Sequence, residues 1–209
     1  MNTTDNIKSL FNSANPMTTE NSYEPSGVCI GDTVLDNTPS GFALFQAIGG
    51  HYTSPAQAIE ELVDNAISSI KANGGSGEVI LRLTDGGDYV DISVCDSGTG
   101  ISDLGAALTI SGCGGAQTPL NEHGCGLKNA LSYLCEEVEV WILESRTKED
   151  AAADRYRCVS APYAAIDQRM RARVHQGNGA ILHETGTTIR VRCSKEKFEG
   201  LKPATKRAK

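Results

Sequence analysis

An α+β domain, with a mostly antiparallel sheet and helices on one face, is predicted by three features of the chain. An amphipathic helical pattern over Ala58–Ser69 is followed by two alternating strand patterns, Val79–Thr84 and Val90–Val94, joined by a short glycine-rich turn. A second helical run, Leu127–Leu134, then precedes strand-like segments at Val138–Leu143, Arg155–Ser160 and Thr187–Cys193. Runs of neighbouring strands with separate helices define this class. The length of 209 residues suits one domain with a single sizeable core.

Composition narrows the setting. No window approaches the roughly 18 to 20 consecutive apolar residues of a membrane span, and the N-terminal MNTTDNIKSLFNS lacks the basic-then-apolar pattern of a secretion signal. Seven cysteines (Cys29, Cys95, Cys113, Cys125, Cys135, Cys158 and Cys193) are an odd number without a C-x-x-C pair. Reduced thiols in an intracellular protein, cytoplasmic or nuclear, are therefore expected, with no membrane association. The net charge of −7 is uneven: Lys195 to Lys209 carries six basic and two acidic residues, leaving the preceding part 13 basic against 24 acidic. An acidic body argues against gripping nucleic acid across a broad face. The expected organisation is a flexible arm over 1–26, the folded domain over 27–194 and a basic tail over 195–209, the tail either solvated, in contact with phosphates or a localisation signal.

Within the domain, Gly27 to Gly50 suggests a short strand or arm and then a short helix, broken at Pro39-Ser40-Gly41. The first long helix begins near Ser54-Pro55: Ser54 is a favoured N-cap, Pro55 suits the first helical position, and Gln57 lies where a capping box would place it. Ile59, Leu62, Val63, Ala66, Ile67 and Ile70 share one arc of that helix, and Gly74-Gly75-Ser76-Gly77 ends it. Asp85-Gly86-Gly87-Asp88 turns the hairpin. From Ile101 to Gly126 the chain is glycine-rich beyond a short helical segment at Leu104–Ile110, and a connection this long is usually functional. Lys148 to Asp154 reads as a polar loop and Tyr163 to His175 as a helix, with Arg169, Arg171 and Arg173 on a face for solvent or a partner. Gly177-Asn178-Gly179 leads into the last strand, and no internal repeat is visible.

Four pieces carry chemistry. Glu61 and Asn65 lie one helical turn apart on the polar arc, where a carboxylate can take a proton from water and an amide oxygen can ligate a hard cation; a solvated face is the plain alternative. Asp96-Ser97-Gly98-Thr99-Gly100 follows a strand, where a carboxylate can accept an exocyclic amine while glycines admit a base closely, or can simply form an Asx turn. Gly124-Cys125-Gly126-Leu127-Lys128 opens a helix, presenting free N–H groups and a lysine to an anion, or serving as a hinge with Lys128 solvated. Gly186-Thr187 enters a strand, where the hydroxyl can reach the same aspartate and base through water. His123 precedes the third piece, as a phosphate contact or a packing or exposed residue, and the thiols Cys113 and Cys125 lie in or beside the same glycine-rich connection.

In this order the four pieces resemble the boxes of the GHKL superfamily of ATPases (gyrase, heat-shock chaperone, histidine kinase, MutL), over about Ser54 to Cys193. The resemblance implies a Bergerat-type two-layer α/β sandwich, with a mostly antiparallel mixed sheet, that binds ATP and Mg²⁺ under a mobile lid of about Ser102 to His123. It also implies roles: Glu61 as the base that activates water, Asn65 as the Mg²⁺ ligand, and Asp96 as the adenine-reading carboxylate. Gly98, Gly100 and Ile101 would line the base, Gly124, Cys125, Gly126 and Leu127 the phosphate loop, and Thr187 would lie beside the adenine. HYTSPAQAIEELVDNA and EHGCGLKNAL look most like microrchidia (MORC) ATPases, which implies that Lys128 contacts phosphate.

The function so implied is slow, Mg²⁺-dependent ATP hydrolysis coupled to lid closure and an ATP-dependent homodimer, acting on DNA or chromatin through a partner. Members of the superfamily that hydrolyse ATP efficiently usually take a further phosphate-contacting lysine from a following transducer domain. Only about sixteen residues follow the Gly-Thr strand, so a longer parent chain or a partner is expected to supply it. Two other readings use the same pocket: a protein kinase of the histidine- or anti-sigma-factor type, and an ATP-gated binding module without appreciable hydrolysis. Glu61 four residues before Asn65, with the terminal Gly-Thr strand, favours the water-activating branch over the kinase.

Overall fold

The computed structural model describes residues 29–36, 52–108, 126–135, 140–162 and 169–199. Seven strands form one sheet: β1 (Cys29–Asp36), β2 (Val79–Asp85), β3 (Tyr89–Asp96), β4 (Val140–Arg146), β5 (Arg155–Pro162), β6 (Arg169–Gln176) and β7 (Gly186–Ser194), in the order β1-β6-β5-β4-β7-β3-β2. Every pairing is antiparallel. The helices are α1 (Pro55–Ala72), α2 (Leu104–Leu108), α3 (Gly126–Leu134), α4 (Lys148–Ala152) and α5 (Lys195–Phe198). This is the α+β sandwich expected from the sequence.

The apolar arc of α1 drives the layering. Ala58, Leu62 and Ala66 from α1 pack with Ala130, Leu131 and Leu134 from α3 onto Ile92, Val94, Leu143 and Val191 of the central strands. Truncating one such buried leucine to alanine costs about 2–5 kcal/mol. The helix starts at Pro55, but Ser54 makes no side-chain cap bond. Gln57 instead reaches one residue further back, its Oε1 accepting from the Thr53 N–H at 2.8 Å and the Thr53 hydroxyl at 3.0 Å, so the expected capping box is replaced by a Thr53–Gln57 closure. At the other end Gly74 and Gly75 both have positive φ, and the Gly75 N–H returns to the Ile70 carbonyl.

Alternate residues of the strands face away from the helices. On that side Arg192 binds Asp91 through two contacts of 2.8 and 3.0 Å, and Arg190 binds Glu144 at 2.8 Å. Ile181, from the connection between β6 and β7, closes over Ile142, Tyr156 and Cys158 to form a second small core. Cys95, Cys135, Cys158 and Cys193 are buried thiols.

Two expected elements differ. Lys148–Ala152, expected as loop, is a helical turn because Thr147 and Asp150 form a reciprocal capping box; Asp150 is also gripped by Arg155 and Arg157. Of the helix expected over Tyr163–His175, residues 163–168 lie outside the described residues, and the rest falls in β6, a strand held between β5 and β1, where Ala172 pairs with both Val159 and Thr33. Lys195–Phe198, grouped with the basic tail, forms a short helix on Ser194, whose hydroxyl accepts the Lys197 N–H. The short helix expected within 42–48 lies outside the described residues.

Candidate functional site

Glu61, Asn65 and Ser69 recur every four residues along α1, so they form one line on the side away from the apolar arc. The Asn65 amide nitrogen donates to the Glu61 carbonyl at 2.8 Å. That bond commits the nitrogen and leaves the amide oxygen as the end suited to a ligand. Glu61 is partly buried and lies against the first residue of α3. A Cβ on Gly126 would overlap the Glu61 carboxylate and come within 2.8 Å even of its Cγ. Burial raises the Glu61 pKa above the usual carboxylate value, with repulsion from Asp64 adding to it. Tyr52, just before α1, packs edge-on against Tyr133 of α3 at 5.7 Å. Its hydroxyl is pushed up to about 12 by burial and then by Glu61. Tyr52 carries no signal in the sequence, because an aromatic ahead of a helix has no distinctive spacing.

Asp96 closes β3 and is 4 % exposed. Its Oδ1 accepts the Gly98 N–H at 2.8 Å. Burial lifts its carboxyl to about 6, against the downward pull of hydrogen bonds from Gly98, Ser69 and Thr187. The β3–β7 register places Asp96 opposite Thr187, and the β4–β7 register places Ser145 opposite the same residue. Thr187 is buried there. The chain from Gly98 onward then crosses the strand ends: Gly100, at φ +71°, fits against the Arg146 carbonyl, and the Ile101 N–H donates to Ser145 Oγ at 2.6 Å.

Gly126 and Leu127 open α3, with Leu127 packed on the main core. Lys128, for which sequence offered a phosphate contact or a solvated position, is buried, and its Nζ donates to the Ala107 carbonyl of α2 at 2.9 Å. The residue thus ties α2 to α3. Gly124, Cys125, His123 and Cys113 lie outside the described residues, as does the lid beyond Leu108. Arg173 sits in β6, so the arginines at 169, 171 and 173 alternate along a strand and do not share a helix face.

As to a metal, the described residues contain no group of three or more His, Cys, Asp or Glu side chains that could form a protein cage. An Asn65 oxygen fits the other mode, in which Mg²⁺ takes one protein ligand together with phosphate and water oxygens. No helix among the described residues is long and apolar enough to cross a membrane.

The antiparallel sheet with its helices packed on one face defines the class first, a Bergerat-type α+β sandwich. Residues 50–197 match the histidine kinase-, DNA gyrase B- and HSP90-like ATPases, and the chain belongs to that family. Its domains bind ATP, generally with Mg²⁺. No match was found among curated proteins.

Proposed function

We propose that the chain is a MORC-like ATP-hydrolysing switch, in which Mg·ATP binding closes the 102–123 segment and pairs two copies, and hydrolysis releases them. The observation that carries this reading is the Glu61 carboxylate seated on Gly126. It sets a base at the positive end of a nine-residue helix, where anionic phosphate is favoured.

In this reading Asp96 accepts the base amine, Gly98, Gly100 and Ile101 border the base with Thr187, and the 124–127 backbone N–H groups hold phosphate. Lys128, whose ammonium has three donors and gives one to the Ala107 carbonyl, joins them. Bound Mg²⁺, held by Asn65 and phosphate oxygens, would neutralise charge on the triphosphate. Glu61 orients a water and accepts its proton as the oxygen attacks the γ-phosphorus, while the bond to the bridging oxygen breaks and ADP leaves. A base of raised pKa is matched to that task near neutral pH. The slow or partner-dependent rate, the homodimer, and action on DNA or chromatin through a transducer partner belong to the same proposal, supported by the resemblance of the motifs.

Glu61→Ala should retain nucleotide binding by calorimetry and lose phosphate release by at least about 100-fold, the scale of a general base. Unchanged release would remove Glu61 from this role. Wild-type protein that binds and pairs with ATP without releasing phosphate would instead be a gated binding module, and label transferred to protein would mark a kinase.

A further inference from the structure

If Asp96 reads the base, on which this inference rests, its turn is held by side chains that the nucleotide motifs do not include. Ser69 Oγ accepts the Thr99 N–H at 3.1 Å, which leaves the hydroxyl proton to donate. The Thr99 hydroxyl lies 3.5 Å from the same oxygen, so Ser69 holds Thr99 by both main chain and side chain. The approach is close because Gly98 lies against α1: a Cβ there would overlap Ser69 Oγ and come within 2.6 Å of the Ser69 carbonyl carbon.

One turn on, Asn73 Nδ2 donates to the Ser97 and Gly98 carbonyls at 3.2 and 3.3 Å. From the strand side Thr185 Oγ1 donates to the Gly98 carbonyl at 2.7 Å. The turn is therefore clamped between α1 and the approach to β7. An ionised carboxylate offers about four acceptor directions. The Gly98 N–H, 2.8 Å from Oδ1, occupies one of them.

We propose that Ser69 is a positioning residue for base recognition, its hydroxyl oxygen holding the Thr99 amide and with it the turn whose Gly98 N–H fixes the Asp96 carboxylate, so that an acceptor direction is held for an exocyclic amine. Ser69 would thereby act on selectivity for amine-bearing purine nucleotides without touching the nucleotide itself.

The test compares dissociation constants for ATP and for purine riboside triphosphate, which lacks only the amine, by calorimetry on the whole chain. Wild type should prefer ATP by about 10- to 100-fold, the scale of one hydrogen bond to a charged group. Ser69→Ala should bring that ratio down by about tenfold, chiefly through weaker ATP binding, and Asp96→Ala should abolish it. Ser69→Cys keeps a γ atom but accepts weakly, so it should narrow the ratio too and serves if the alanine variant does not fold. If Asp96→Ala collapses the ratio and neither Ser69 variant changes it, or if both ligands weaken equally in them, the Ser69 proposal fails and the base reading stands. A ratio indifferent to Asp96→Ala overturns the base reading and this proposal with it.

Discussion

Replacing Asp96 by asparagine separates what its carboxylate does for binding from what its burial does to stability. Burial raises the folded-state pKa from 3.8 to about 6. Between those values the native protein holds more protons than the unfolded chain, so stability declines as pH rises through the window. The gap of about 2 units corresponds to about 3 kcal/mol, absent below about pH 4 and fully present above about pH 6. Asparagine does not titrate. The unfolding free energy of Asp96→Asn relative to wild type should therefore shift in the variant's favour by about 3 kcal/mol between about pH 4 and pH 7, on top of any pH-independent change from altered hydrogen bonds. Urea unfolding without nucleotide across that range measures the shift. The ionised form is also the one that accepts an amine, so wild-type ATP affinity should fall about tenfold per unit below about pH 6, while the variant binds weakly throughout. A stability difference that is flat across the window would refute a buried carboxyl of elevated pKa at the end of β3.

Gly126→Ala tests the seating of Glu61. Carbon atoms rest about 3.5–4.0 Å apart, so a Cβ within 2.8 Å of Glu61 Cγ forces that side chain aside by about 1 Å. A misplacement of that size lowers turnover by about 100-fold, whereas alanine in a helix is favoured over glycine by up to about 1 kcal/mol. Phosphate release at saturating ATP should fall with no loss of melting temperature, and unchanged release would show that Glu61 has no need of that notch. For Asn65→Ala, calorimetry with and without Mg²⁺ should show a loss of about 10- to 100-fold confined to the metal-containing titration, since even outer-shell partners of a metal are worth that much. An equal loss in both titrations would assign Asn65 to the fold and not to the metal.

Local pattern made several elements legible. The apolar arc of α1, the Val79–Asp96 hairpin and the helix after Gly126 each follow from residues close together in the chain. The sequence also carried a signal for α4, the Thr147 to Asp150 capping box, but one turn is too short for periodicity to register. The strand Arg169–Gln176 was missed for another reason. Its arginines alternate with Ala172 and Val174, and pairing with β5 on one side and β1 on the other makes that alternation a strand.

By itself the sequence determined the family, the order of the four motifs, and which residue types are available to base, metal and phosphate. Those follow from spacing along the chain, which needs no knowledge of distant neighbours. Tertiary structure alone decided that Glu61 rests on Gly126, that Asp96 faces Thr187, that Lys128 is buried on the Ala107 carbonyl, and that Ser69, Asn73 and Thr185 clamp the Asp96 turn. Each of these contacts joins segments far apart in sequence. Their geometry depends on strand register and on how closely α1 and α3 approach the sheet, and burial sets the carboxylate pKa values only after those surfaces meet.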